Sequence, residues 1–261
     1  RRVRALDMPR RTAWLMAIAI LFAVMLPASF KVVRKKSMAL DVWAESIMNR
    51  MEPALPWQYA FGAVKYEAQL AQMQSLLEQN RRIPPVANLI DAHSGAPGTL
   101  VLVIGESTNR QHMSLYGYSR NTSPQLSAMR NQLTVFENVV ASRPYTIETL
   151  QQALTFADQE NPSLHLTSPS LMNIMKQAGY KTYWITNQQT LTKRNTMLTN
   201  FSEQTDEQFY LNHSRSQNSY QFDGNVLEPF AKILADSAER KFIIVHLLGA
   251  HMRYEYRYPT E

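Results

Sequence analysis

The sequence predicts an α/β domain, a mostly parallel sheet sandwiched by helices, preceded by a transmembrane helix and a helical linker. Three observations predict it. From Thr99 onward, short apolar runs alternate with segments of helical period, the pattern of repeated β-α-β units. The run Leu100–Ile104 is apolar at every position, as in a strand buried on both faces. Far upstream, the uncharged stretch from Ala13 to Phe30 is about 18 residues long, enough to cross a hydrocarbon core.

The elements follow in chain order. Residues 1–11 carry Arg1, Arg2, Arg4, Arg10 and Arg11 and read as a basic loop. Residues 12–30 are the expected transmembrane helix. A cleaved signal peptide fits less well, because the apolar part is long and runs into Lys31, Arg34, Lys35 and Lys36 rather than a small-residue cleavage site. With both flanks basic, charge does not orient the span. Residues 31–98 read as a juxtamembrane linker. Within it, apolar residues spaced by three and four from Ala60 to Arg82 predict an amphipathic helix between Pro53/Pro56 and Pro84–Pro85. Such a helix lies at the lipid interface or packs on the following domain. A loop over Arg81–Thr99 then leads into residues 99–261, the globular part.

Within that part, Leu100–Ile104 is the first strand, Ser123–Gln132 a helix, and the β-branched, aromatic Leu133–Val140 a further strand. A helix begins around Thr146. Ser170 caps a helix over Leu171–Ala178, and Gly179 stands where the chain needs a left-handed residue. Lys181–Thr186 reads as a strand, Asp223–Ala238 as a helix and Lys241–Leu247 as a buried strand.

Composition narrows the function. The chain has 261 residues, 27 Lys and Arg against 21 Asp and Glu, and a net charge of +6. Its cations cluster around the apolar segment and form no stripe interleaved with aromatics, so nucleic acid is not an expected partner. With no cysteine, disulfides and thiolate metal ligands are excluded. A nucleophile elbow, a zinc-protease helix and a phosphate-binding Gly-Lys-[Ser/Thr] loop are all missing from the sequence.

Two positions attract attention on physical grounds. Glu106 follows the first strand, at the carboxyl edge where α/β sheets bind ligands. A carboxylate there either belongs to an ordinary polar loop or answers a cation, commonly a metal ion. Thr146 opens a helix. It is either a simple N-cap or a hydroxyl placed where amides and helix dipole attract phosphate. A threonine needs a metal or base before it is a nucleophile. His246, flanked by apolar residues, reads as a core histidine, whereas His251 lies past Gly249 at the strand's carboxyl end.

The run Gly105-Glu-Ser-Thr-Asn-Arg110, followed by Gly117-Tyr-Ser-Arg-Asn-Thr-Ser-Pro124, closely resembles the signature of the lipopolysaccharide phosphoethanolamine transferases, membrane enzymes of the alkaline phosphatase/sulfatase superfamily. The resemblance implies an alkaline phosphatase/sulfatase-like fold. It implies zinc held by Glu106 and Thr146, with Thr146, ten positions after Phe136 of a Phe-x-Asn-Val run, as nucleophile. It implies substrate contacts from Asn187, His251 and Lys193, although the spacing around Lys193 differs from the family's. Phosphatidylethanolamine is then the donor and the lipopolysaccharide core the acceptor, through a covalent phosphoethanolamine-enzyme intermediate.

The same resemblance implies a multi-pass protein of the bacterial inner membrane, among membrane lipids, with the catalytic domain in the periplasm. The lack of cysteine favours the core-modifying branch over the lipid A branch. The family's Asp-His-Gly zinc motif does not occur in this sequence, so the chain is expected to be an internal part of such a protein. The competing expectations are a catalytically silent, membrane-anchored anion-binding domain and a metal-dependent phosphate or sulfate ester hydrolase.

Overall fold

In a computed structural model of the chain, residues 9–19, 67, 71, 74–93, 96–189, 196–214 and 218–259 are described. The chain divides into two units, residues 1–71 and 72–261. In the first, residues 10–19 are helical and exposed. The remainder of the expected transmembrane stretch, 20–30, lies outside the described residues, as does most of the linker up to residue 73. No helix among the described residues is long and apolar enough to cross a membrane.

Among the described residues the second unit has four strands: β1 (Gly98–Ile104), β2 (Lys181–Gln189), β3 (Glu207–Asn212) and β4 (Arg240–His246). They form one sheet in the order β1-β4-β2-β3, every neighbouring pair parallel. The helices are α1 (Pro124–Ala128), α2 (Thr146–Ala153), α3 (Leu171–Gln177), α4 (Thr196–Ser202) and α5 (Leu227–Leu234).

Period-two alternation sorts the core into two layers. Trp184, Phe242 and Ile244 point to one face, where Leu150 of α2, Met172 of α3 and Phe201 of α4 cover them. Tyr183, Ile185, Ile243 and Val245 point to the other, against Val226 and Ile233 beside and within α5. The expected helix-covered parallel sheet is therefore present, with β2 and β4 as its buried centre.

Helix boundaries follow local chemistry. Ser170 caps α3 through a capping box: its Oγ accepts from the Asn173 amide at 3.2 Å, and Asn173 Oδ1 accepts from the Ser170 amide at 3.1 Å. Gly179 ends that helix at φ 83°, a left-handed conformation that glycine adopts without a Cβ penalty. Residues 74–81 are helical, within the amphipathic helix expected over Ala60–Arg82. The loop after them is tied down before β1 begins. Gln177 brackets Val86, accepting from its amide at 2.9 Å and donating to its carbonyl at 2.7 Å. Arg240 pairs with Asp91 and lies over the Tyr180 ring at 4.0 Å.

Several expectations need correction. Leu133–Val140 forms no strand; Phe136, Val139 and Val140 are exposed and no neighbouring backbone pairs with them. Strand propensity records how a side chain suits a half-buried pleated surface, and here no such surface is offered. β1 is not buried on both faces. Among the described strands it pairs only with β4, and Leu100, Val101 and Val103 are exposed. The helix expected over Asp223–Ala238 is a 3₁₀ turn (Asp223–Val226) running into α5, and that over Ser123–Gln132 splits into α1 and a 3₁₀ turn (Arg130–Gln132). β3 was not foreseen: Glu207-Gln-Phe-Tyr-Leu-Asn212 is polar at both ends, and pairing with β2 makes it a strand.

Candidate active site

Parallel strands bring the carboxyl ends of β1, β4 and β2 to one edge, and the two leading candidates meet there. Glu106 follows β1 by two residues. Thr146 is the first residue of α2, which packs on the same face as Ile104 and Trp184. The Thr146 hydroxyl donates to Glu106 Oε1 at 3.1 Å and reaches Oε2 at 3.3 Å. Forty positions of sequence separate them, so only the fold makes this contact. The cap of α2 is Tyr145, not Thr146, and the threonine side chain makes no capping bond. Its hydroxyl is spent on the carboxylate.

Glu106 has further partners. Ser107 Oγ donates to Oε1 at 3.1 Å, and Gln188 Nε2 donates to Oε2 at 3.0 Å. Among the described residues no cation pairs with this carboxylate; its partners are hydroxyls and an amide.

The signature loop downstream is held by its own hydroxyls. Thr122 Oγ1 donates to the His112 carbonyl at 2.6 Å and accepts the Ser114 amide at 3.0 Å, while Ser123 Oγ accepts the Leu115 amide at 2.9 Å. Gly117 sits at φ 92°. Much of the motif thus shapes the loop that follows Glu106.

The other expected site residues fall differently. Asn187 is fully buried, where β2 slips register against β3 between Thr186 and Gln189. Its Nδ2 donates to Asp223 Oδ1 at 2.9 Å. The same carboxylate accepts the backbone amides of Leu248 at 2.9 Å and Gly249 at 2.7 Å. Asp223 thereby pins the turn that carries His251. His251 is half-buried, its amide bonds the Leu248 carbonyl at 2.9 Å, and its Nδ1 is buried without a partner. No hydrogen bond joins Asn187 or His251 to Glu106 or Thr146. Lys193 lies outside the described residues.

His246 is a core residue, as expected. Its ring is fully buried, edge-on to Trp184 at 6.2 Å between centroids, with neither nitrogen hydrogen-bonded. Burial pulls its pKa down to about 4, against the opposing pull of the Asp223 charge. It is therefore neutral at physiological pH.

Gln188 and Asp223 went unnoticed in the sequence. An amide at a strand end and an aspartate opening a 3₁₀ turn have no motif of their own. The Asn-Gln pair straight after the apolar strand Lys181–Thr186 was the available signal.

The sulfatase family model matches residues 98–261. The chain belongs to the sulfatase family. Among similar sulfatase-family proteins, phosphoethanolamine transferase CptA of Salmonella typhimurium is 55% identical over 261 residues, covering 99% of this chain and 45% of that protein. Phosphoethanolamine transferase EptC of Escherichia coli K12 is 52% identical, again over 99% of this chain and 45% of its own length. The chain thus spans about half the length of the curated relatives it matches. The crystal structure of the C-terminal periplasmic domain of Escherichia coli EptC, a complex with Zn, superposes with a TM-score of 0.65 at 64% identity, covering 68% of this chain and 50% of that one.

Proposed function

We propose that this chain supplies the nucleophile and part of the metal site of an enzyme that transfers phosphoethanolamine from phosphatidylethanolamine to the lipopolysaccharide core. The observation that carries the reading is the Thr146 hydroxyl donating to Glu106 at the amino end of α2. Further support comes from the relatives named phosphoethanolamine transferases and from the zinc in the similar periplasmic domain.

The donor set suits zinc in part. Glu106 is a carboxylate balanced only by neutral groups, and the hydroxyl turned onto it is the second oxygen a metal would take. Among the described residues no three His, Asp or Glu gather as ligands, so Glu106 and Thr146 make up a share of the site and not the whole. When bound there, zinc supplies the Lewis acidity that a threonine needs to ionise near neutral pH.

The chain's own residues perform the rest. Thr146 Oγ gives up its proton and attacks phosphorus. The new Oγ–P bond forms as the bond to the glycerol oxygen breaks, and diacylglycerol leaves with a proton. The amide groups opening α2 face the phosphate oxygens. An oxygen of the acceptor, on a sugar or a sugar phosphate, then attacks the phosphorus of the phosphoethanolamine-threonine ester; the Oγ–P bond breaks and Thr146 Oγ regains a proton. Asn187, His251 and Lys193 are assigned to the head-group side of the site, and the domain to the periplasmic face of the inner membrane, where both lipid substrates are within reach.

The test is intact-mass analysis and peptide mapping of the full-length protein after exposure to phosphatidylethanolamine. A phosphoethanolamine adduct on Thr146 is expected. An adduct on Ser142 or Thr149, or none at all, overturns the assignment.

A further inference from the structure

The two oxygens of Glu106 are held by different kinds of partner. Oε1 accepts from the hydroxyls of Ser107 and Thr146, both at 3.1 Å. Hydroxyls rotate freely, so these donors can turn away when another group claims the oxygen. Oε2 is also reached by the Thr146 hydroxyl at 3.3 Å, but it alone accepts from Gln188 Nε2, at 3.0 Å, and that donor cannot turn away. The same nitrogen donates to the Leu247 carbonyl at 2.7 Å, so both of its hydrogens are in use. Gln188 itself is 7% exposed. It is the penultimate residue of β2, Leu247 follows β4 and Glu106 follows β1, so a single amide spans three adjacent strand ends.

We infer that Gln188 is a positioning residue that reserves Oε2 of Glu106 and leaves Oε1 as the oxygen offered to the metal. The inference rests on the reading of Glu106 and Thr146 as zinc ligands. It explains why an amide is needed at position 188. An apolar side chain would leave the carboxylate to rotate and the Leu247 carbonyl unpartnered, while a carboxylate would repel Glu106. Outer partners that orient a ligating carboxylate commonly change metal affinity by one to two orders of magnitude.

The experiment measures zinc dissociation from the full-length protein by chelator competition, for wild type and for Gln188→Leu, which is apolar and removes the donor. The dissociation constant should rise roughly 10- to 100-fold. Turnover at limiting zinc should fall and recover with added zinc, while KM for phosphatidylethanolamine stays near the wild-type value. In a Glu106→Gln background the same change should have almost no further effect on zinc binding, because the carboxylate it orients is gone. A thermal melt establishes that the variant folds, and Gln188→Met carries the measurement if the leucine protein does not. Wild-type zinc affinity in a folded variant overturns the role of Gln188 alone. A wild-type protein that binds no zinc overturns the metal reading beneath it.

Discussion

Replacing His246 with leucine should flatten the dependence of stability on pH. The ring is fully buried with neither nitrogen bonded, and burial holds its pKa at about 4. In the unfolded chain a histidine titrates near 6.5. Between those values the unfolded state binds a proton that the folded state refuses, so wild-type stability is intact above pH 6.5 and drains away as pH falls towards 4. Integrating the linkage from pH 7.5 to pH 5 gives a loss of about 2 kcal/mol attributable to this one side chain. Leucine has no such proton, so that share of the loss should vanish in the variant. Urea unfolding at the two pH values, followed by the fluorescence of tryptophan, reads the difference, with Trp184 lying against the His246 ring as a local reporter. Other titrating groups contribute equally to both proteins and cancel in the comparison. Equal pH slopes for wild type and variant would refute the argument, since a neutral, buried histidine cannot be silent over that range.

Two further outcomes test the site. Gly249→Ala would place its Cβ 2.5 Å from Asp223 Oδ2, an oxygen already held by the amide of residue 249 itself, so a loss of about 1–3 kcal/mol is expected by thermal melting. Combining it with Asp223→Ala should cost less than the two losses added together, because the clash disappears with the carboxylate. In the full-length protein, Glu106→Gln should abolish transfer and lower zinc content while leaving the melting curve close to wild type; wild-type zinc content in that variant would end the ligand assignment.

The sequence read most clearly where one interaction dominates. Lys181–Thr186 and Lys241–Leu247 are buried strands whose apolar runs announce them, and Ser170 and Gly179 mark a helix by local hydrogen bonding and backbone conformation alone. Leu133–Val140 misled because its β-branched composition speaks of packing that no neighbour provides. β3 was hidden for the converse reason, being a strand by pairing and not by pattern. In the site, Glu106 and Thr146 were legible because their motifs are local. Gln188 and Asp223 act through partners 82 and 25 or more positions away, and no window of sequence contains those pairs.

The long separation between β1 and its partner has a consequence for the chain while it is being made. Its single partner among the described strands, β4, begins at Arg240, 136 positions after Ile104. At a synthesis rate of about 5–20 residues per second, the ribosome takes roughly 7–27 s to reach it. Throughout that interval Leu100-Val-Leu-Val-Ile104, with no charge or proline to interrupt it, stands as an unpaired template for other nascent strands. The strand that delivers Glu106 to the site is therefore also a segment in need of shelter during translation.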